Sequence, residues 1–107
     1  MASSVERLQK WYASQCDGNW EHSYGVSIDT LDNPGWRVQV DLTDTELDHV
    51  AFETLQRGDS EEDSNWVVCR REGPKFVGVG GKADLEELLG VFVEWAEGHA
   101  SQGKPEA

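Results

Sequence analysis

The hydrophobic spacing of this sequence is that of a helix at each end and that of β-strands in the middle, which limits the folds open to a chain of 107 residues. At the N-terminal end, Ser3 and Glu6 form a capping-box pattern, and apolar residues then recur at helical intervals. This pattern predicts a first helix over residues 4–15. The turn-forming residues at 16–19 should end it.

The second helical pattern lies near the C-terminal end. Asp84 begins another capping-box pattern, and an apolar stripe follows it. We predict that this helix continues to about Glu97 and that Gly98 stops it. The chain should therefore form one α+β domain over residues 1–98, followed by a flexible C-terminal tail over residues 99–107.

Between the two helical segments, the sequence predicts a β-hairpin. Apolar and polar residues alternate over residues 24–28 and again over residues 36–42, which is the period of a strand. Residues 33–36 suit a type II turn, with Pro34 presetting φ and Gly35 supplying a positive φ. Direct pairing across such a turn would place the odd-numbered residues of one strand opposite the even-numbered residues of the other. The apolar residues of the two strands would then lie on opposite faces of the sheet. We therefore expect a three-residue loop or a β-bulge between the strands.

Three further strands complete the predicted sheet. Residues 48–57 predict a third strand, and residues 66–71 and 75–79 predict a second hairpin joined across residues 72–74. The segment 20–22 is expected to be a loop. This order predicts an α+β fold, in which an antiparallel sheet of about five short strands is flanked on one face by an N-terminal and a C-terminal helix.

The charge of the chain favours a protein partner over nucleic acid. Its net charge of −12 repels phosphate backbones and anionic membrane surfaces. Residues 41–65 contain nine acidic residues and one basic residue, so this segment carries −8 of the total. We predict that a basic protein partner binds there, with Glu21 as a secondary contact. The candidate contact residues are Glu21, Asp44, Glu46, Asp48, Asp59, Glu61, Glu62 and Asp63.

Large aromatic side chains should supply much of the core. The chain has five Trp, two Tyr and three Phe residues, and we expect Trp11 and Trp36 to be buried anchors. The N-terminal residues lack the apolar run of a signal peptide, and no stretch approaches the length of a membrane span. We therefore expect a cytoplasmic protein that does not enter a membrane.

One cysteine is a candidate nucleophile. Cys16 lies close in sequence to Asp17 and His22, an arrangement that suggests a thiol with a nearby base. The negative end of the first helix and the Asp17 carboxylate would both disfavour a thiolate there. We therefore favour a structural thiol, and the alternative is a small enzyme that uses Cys16 with His22 in thiol or sulfur transfer. Adjacent Glu21 and His22 should point to opposite sides of an extended segment, which disfavours an acid–base pair.

The sequence indicates neither a metal site nor a cofactor. The three His residues are isolated, and Cys16 and Cys69 lack the spacing of metal ligands. Residues 78–81 are rich in glycine but lack the Gly-Lys-Ser/Thr of a phosphate-binding loop. We expect both thiols to be reduced, not disulfide-bonded, and buried or half-buried.

A long segment of the chain resembles a known family. The residues that carry the likeness are Leu8, Trp11, Tyr12, Gln15-Cys16-Asp17-Gly18, Trp20-Glu21-His22, Tyr24-Gly25 and Thr30-Leu31-Asp32-Asn33-Pro34-Gly35-Trp36. They are similar to the immunity protein 53 family of bacterial polymorphic toxin systems, and a looser likeness extends over about residues 5–97. The resemblance implies an α+β cytoplasmic protein that neutralises a cognate toxin by direct binding.

Much of this motif also has a structural explanation. Its tryptophans suit core positions, and its glycines and proline suit turns. The motif residues that we expect to be structural are Trp11, Cys16, Asp17, Gly18, Trp20, His22, Pro34, Gly35 and Trp36. We therefore place the predicted contact surface mainly on the acidic middle of the chain.

Overall fold

The structure is a computed structural model, and it describes residues 3–58 and 65–103. Its elements are α1 Ser4–Gln15, α2 Trp20–Ser23, β1 Val26–Leu31, β2 Gly35–Asp41, β3 Leu55–Arg57, β4 Val67–Glu72, β5 Lys75–Gly80 and α3 Leu85–Gly103. The five strands form one antiparallel sheet, with one helix before the strands in the sequence and another after them, which confirms the predicted α+β fold. Across these two ranges, no helix has both the length and the apolar character needed to cross a membrane.

The first helix begins and ends where the sequence predicts. The Ser3 hydroxyl accepts a hydrogen bond from the Glu6 N–H at 3.1 Å, and the Glu6 carboxylate accepts one from the Ser3 N–H at 2.9 Å. This reciprocal pair confirms the capping box. Leu8 and Trp11 lie on the buried face of α1 and pack into the core.

The core lies between the sheet and the two long helices. The strand order is β1-β2-β5-β4-β3, and α3 contacts β2, β4 and β5. The buried side chains of this layer include Val38, Val40, Val67, Cys69 and Phe76 from the strands and Leu88, Leu89, Phe92 and Val93 from α3. The helices also bind each other, since the Ser4 N–H donates to Glu86 at 3.1 Å and Arg7 pairs with Glu97 at 2.7 Å.

The N-terminal hairpin has the predicted register but not the predicted turn. Leu31 pairs with Gly35, so residues 32–34 form a three-residue loop and the apolar sets of both strands share a face. The three-residue loop is thereby confirmed. Gly35 does not have the positive φ of a type II turn, because it is already part of β2. A Cβ there would lie 2.3 Å from the carbonyl oxygen of Gly80, so close strand approach is what requires this glycine.

The C-terminal hairpin forms at the predicted place, but β4 starts one residue later and includes Glu72, so the turn is shorter than the predicted 72–74. Glu72 pairs with Lys75, which leaves Gly73 and Pro74 as the two turn residues. Gly73 has a φ of +59°, and the proline ring holds the next φ negative. This combination is that of a type II′ turn, whose twist matches that of the flanking strands.

The third predicted strand is wrong over most of its length. Only residues 55–57 pair with β4, while residues 48–54 have no strand structure. The Arg71 side chain explains the difference, because it donates hydrogen bonds to three carbonyl groups within residues 47–50. Those carbonyls are satisfied by a guanidinium group instead of a neighbouring strand.

The C-terminal helix is longer than predicted. It continues through Gly98 to Gly103, so the prediction that Gly98 stops it is wrong. A glycine inside a helix costs only about 1 kcal/mol. The Trp95 and His99 rings pack edge to face across it, with centroids 6.3 Å apart. Residues 104–107 lie outside the described part of the chain.

The tryptophans occupy unequal positions. Trp11 and Trp20 are buried, and their rings meet edge to face with centroids 6.0 Å apart. Trp36 is only half-buried at the margin of the core, where its Nε1 donates to the Lys82 carbonyl at 2.9 Å. The expectation of a buried anchor therefore holds for Trp11, and Trp36 is a partial exception.

Candidate partner-binding site

The structure gathers four of the predicted contact residues at one end of the molecule. Trp20 Nε1 donates to the Thr43 carbonyl at 2.9 Å and ties α2 to the segment after β2. Trp11 and Gln15 of α1 donate to the Glu46 carboxylate at 2.7 and 2.9 Å. We name this region the acidic end, and its residues are Asp17, Glu21, Asp44, Glu46 and Asp48. The other four predicted residues, Asp59, Glu61, Glu62 and Asp63, lie outside the described part of the chain.

The expected loop at residues 20–22 is the short helix α2. Asp17 Oδ1 accepts hydrogen bonds from the backbone N–H groups two and three positions later, at 2.9 and 3.0 Å, and these bonds start the helical turn. Gly18 has a φ of +94°, which lets the chain leave α1 and re-enter a helix at once. Glu21 and His22 therefore project from a helical turn, and the prediction of an extended segment is wrong.

The Glu21 carboxylate is directed back towards the end of α1. It accepts hydrogen bonds from the N–H groups of Asp17 at 3.0 Å and Gly18 at 2.8 Å. Hydrogen bonding to its own backbone N–H and to these two groups lowers the pKa of Glu21. The side chain thus stays charged and holds the turn between α1 and α2.

Two of the other three carboxylates also have fixed positions. Both oxygens of Glu46 accept hydrogen bonds from α1, and Asp48 Oδ2 accepts one from the Asp44 N–H at 2.9 Å. Asp44 itself has a φ of +63° and an exposed side chain, whereas Glu21, Glu46 and Asp48 are partly buried. Asp44 is therefore the most accessible of the four predicted contact residues that the structure describes.

Arg71 positions this region, although the sequence analysis gave it no role. Its Nη1 donates to the carbonyls of Leu47 at 2.9 Å and Val50 at 2.6 Å, and its Nη2 donates to that of Asp48. The alternation of β4 could have indicated this role. Arg71 shares the helix-facing side of β4 with Val67 and Cys69, where a charged residue needs internal partners.

The field at the acidic end has a second source in the backbone. The negative end of the α1 dipole lies beside these carboxylates, and the last turn of α1 contains no basic residue to offset it. The dipole and these carboxylates therefore have the same sign, and the Arg71 guanidinium on the carbonyls within residues 47–50 opposes them only in part. This arrangement attracts cationic groups and repels anionic ones.

The two thiols are free and lie in opposite environments. Cys16 is exposed at the end of α1, so the expectation that it is at least half-buried is wrong. Its Sγ donates to the Tyr12 carbonyl at 3.4 Å, and this bond is local to α1. Cys69 is buried under α3, and burial raises the pKa of its thiol to about 12. Within the ranges that the structure describes, no group of three or more His, Cys, Asp and Glu residues could hold a metal ion.

Comparison with known proteins gives one match. Residues 5–97 of the 107-residue chain match the family model described as Immunity protein 53. No curated protein and no solved structure matches the chain. The match spans α1, the whole sheet and most of α3, and it confirms the resemblance that the sequence motif indicated.

Proposed function

The chain belongs to the immunity protein 53 family, and from this premise we propose that it protects a bacterial cell by binding a cognate toxin directly in the cytoplasm. Family membership makes it an immunity protein of a toxin system. The proposal adds the mechanism, in which the toxin, a protein of a polymorphic toxin system, is neutralised by contact and not by a reaction. No catalytic residue and no cofactor takes part.

We place the toxin contact on the acidic end. The observation that carries this placement is the fixed field there, where carboxylates held by internal hydrogen bonds lie beside the negative end of α1. Charges that are already oriented need no reorganisation when a basic surface approaches. A field of one sign accelerates encounter with a basic partner more than it slows dissociation.

The residues of this surface have different roles in the proposal. Asp44 is exposed and contacts the toxin directly. Glu21, Glu46 and Asp48 contribute charge while they hold the local structure. Asp59, Glu61, Glu62 and Asp63 form a second acidic stretch of the sequence, which the proposal includes as a further contact.

Association kinetics with the purified cognate toxin domain test the proposal. Neutralising Asp59, Glu61, Glu62 and Asp63 together, or changing Asp44→Asn, should slow association. Asp44→Asn should leave folding nearly unchanged, because the Asp44 side chain is exposed and exposed charges contribute little to stability. The wild-type association rate should fall as salt rises. Glu94→Gln removes an exposed charge from α3 and serves as the matched control for Asp44→Asn.

Two results would contradict the proposal at different levels. If the purified protein and the toxin do not bind each other, neutralisation by direct contact is wrong. If they bind with a rate that is flat in salt and unchanged in both acidic variants, only the placement on the acidic end is wrong.

The alternative of a thiol enzyme is tested by Cys16→Ser. Direct binding predicts that this variant still protects cells from the toxin, because the Cys16 Sγ makes only a hydrogen bond within α1. Loss of protection in a variant that folds and binds the toxin normally would favour the enzyme.

A further inference from the structure

The outer edge of β1 is an unused hydrogen-bonding edge. The Asp41 N–H donates to the Gly25 carbonyl at 3.0 Å, and this bond lies one step beyond the β1-β2 ladder and in register with it. Hydrogen-bonded pairs alternate along antiparallel strands, so the odd-numbered residues of β1 bond to β2. The N–H and C=O groups of Val26, Ile28 and Thr30 therefore point away from the sheet.

This edge lacks the features that usually protect an edge strand. Short length, proline, lysine and bulges are the common protections. β1 pairs with β2 over six residues without a bulge and contains neither proline nor a basic residue, and Asp29 is its one charged side chain. The opposite edge differs, because β3 has three residues and its Arg57 is bound to Glu87 at 2.6 Å.

Apolar side chains lie beside the same edge. Of the four large hydrophobic residues that are exposed in the described part of the chain, Val5, Tyr12 and Ile28 lie on α1 or β1. A cavity of about 350 Å³ separates α1 from the start of β1 and is lined by Val5, Leu8, Gln9, Tyr12, Gly25 and Val26. Val26 and Ile28 face the helix side of the sheet. An incoming strand would thus find apolar contacts for every second side chain.

The charge around the edge indicates which side chains a complementary strand would carry. Between Lys10 and Arg37 the chain has no basic residue and four acidic ones, which include Asp29 and Asp32. Asp29 is exposed on the face of the sheet opposite to Ile28, with Arg37 of β2 directly across from it on the inner side and no strand of the described sheet on its outer side. A complementary strand carries basic residues on that side and apolar residues on the other.

We propose that β1 receives an extended strand of the toxin as a sixth strand of the sheet, with the apolar side chains of that strand against Val5, Tyr12 and Ile28 and its basic side chains beside Asp29. This inference rests on the proposed function, because it assumes a toxin that binds directly. Backbone hydrogen bonds provide the affinity in this mode, and the alternating side chains provide the specificity.

Two variants, each with a matched control, and their binding constants for the toxin test the inference. Thr30→Pro removes an outward N–H and should weaken binding by at least about tenfold, whereas Thr30→Ala keeps that N–H and should bind like wild type. Proline is tolerated at edge positions whose N–H faces solvent, so the fold should survive. Ile28→Lys should weaken binding similarly. Its matched control is Leu55→Lys, since Ile28 and Leu55 are 42% and 39% exposed on opposite edges.

Amide exchange followed by NMR gives a readout that needs no variant. On toxin binding, the amides of Ile28 and Thr30 should exchange at least about tenfold more slowly, because they gain partners. Those of Ser27 and Asp29 already bond to β2 and should change less. This alternation is specific to strand addition. It decides the question even if Thr30→Pro does not fold.

The outcomes separate this inference from the proposed function. If wild type does not bind the toxin, both the proposed function and the strand addition are wrong. If wild type binds, but Ile28→Lys and Thr30→Pro bind equally well and the Ile28 and Thr30 amides keep their exchange rates, only strand addition falls. Weakened binding by these two variants, with normal binding by Thr30→Ala and Leu55→Lys, supports it.

Discussion

Cys16 and Cys69 differ in access to solvent, and this difference predicts their reactivity. Cys16 is exposed at the end of α1, while Cys69 is fully buried and its thiol pKa is raised to about 12 by burial. Near neutral pH, the native protein should therefore take up one alkyl group from iodoacetamide, at Cys16, and the unfolded protein should take up two. Mass spectrometry of the intact protein checks this. Rapid labelling of both thiols in the native protein would show that α3 does not seal the core.

Trp11 and Trp36 should contribute unequally to stability. Trp11 is 7% exposed and donates to Glu46 at 2.7 Å, so Trp11→Ala should cost about 3–5 kcal/mol of unfolding free energy. Trp36→Ala should cost clearly less, because its ring is half-buried. Chemical denaturation followed by circular dichroism measures both. Equal losses would mean that Trp36 supports the core as fully as Trp11 does.

At the scale of elements, the contact between β2 and β5 depends on one missing side chain. A Cβ at Gly35 would lie 2.3 Å from the Gly80 carbonyl oxygen, so Gly35→Ala must push the two strands apart and should cost about 1–3 kcal/mol. Gly25→Ala is the matched control, because a Cβ there meets nothing within 4 Å. Denaturation midpoints compare the two variants. A midpoint for Gly35→Ala as high as that of Gly25→Ala would contradict the close approach.

The elements that depend on nearby residues were predictable from the sequence. The capping-box pair Ser3 and Glu6 predicted the start of α1. The alternation of apolar residues in the two strands predicted the length of the loop between β1 and β2. The irregular segment 48–54 was not predictable, because its carbonyls are satisfied by Arg71, which lies some twenty residues further along the chain. No local pattern contains that information.

The candidate site was also predictable only in part. The concentration of acidic residues was visible in the sequence, but the internal bonds of those residues were not. Glu46 alternates with Asp44 and Asp48 in the sequence and appears equivalent to them, yet in the structure it binds Trp11 and Gln15. Such bonds depend on how α1 packs across the segment after β2, which composition does not specify.

For the whole molecule, net charge should make stability depend on salt. A charge of −12 on one small domain repels itself, and raising KCl from about 10 mM to about 150 mM shortens the screening length from about 30 Å to about 8 Å. The urea midpoint should therefore rise over this range. A fall would instead show that exposed ion pairs such as Arg7–Glu97 and Arg57–Glu87 outweigh the repulsion.

The packing of α1 on α3 has a consequence for synthesis. The Ser4 N–H binds Glu86 and Arg7 binds Glu97, so the apolar face of α1 is covered only after α3 has been synthesised, 82 residues further along the chain. A nascent chain that ends before α3 cannot close the core. Contacts between such distant parts of the sequence also slow folding. A chain whose translation stops before α3 should therefore expose the apolar face of α1 and lack a closed core.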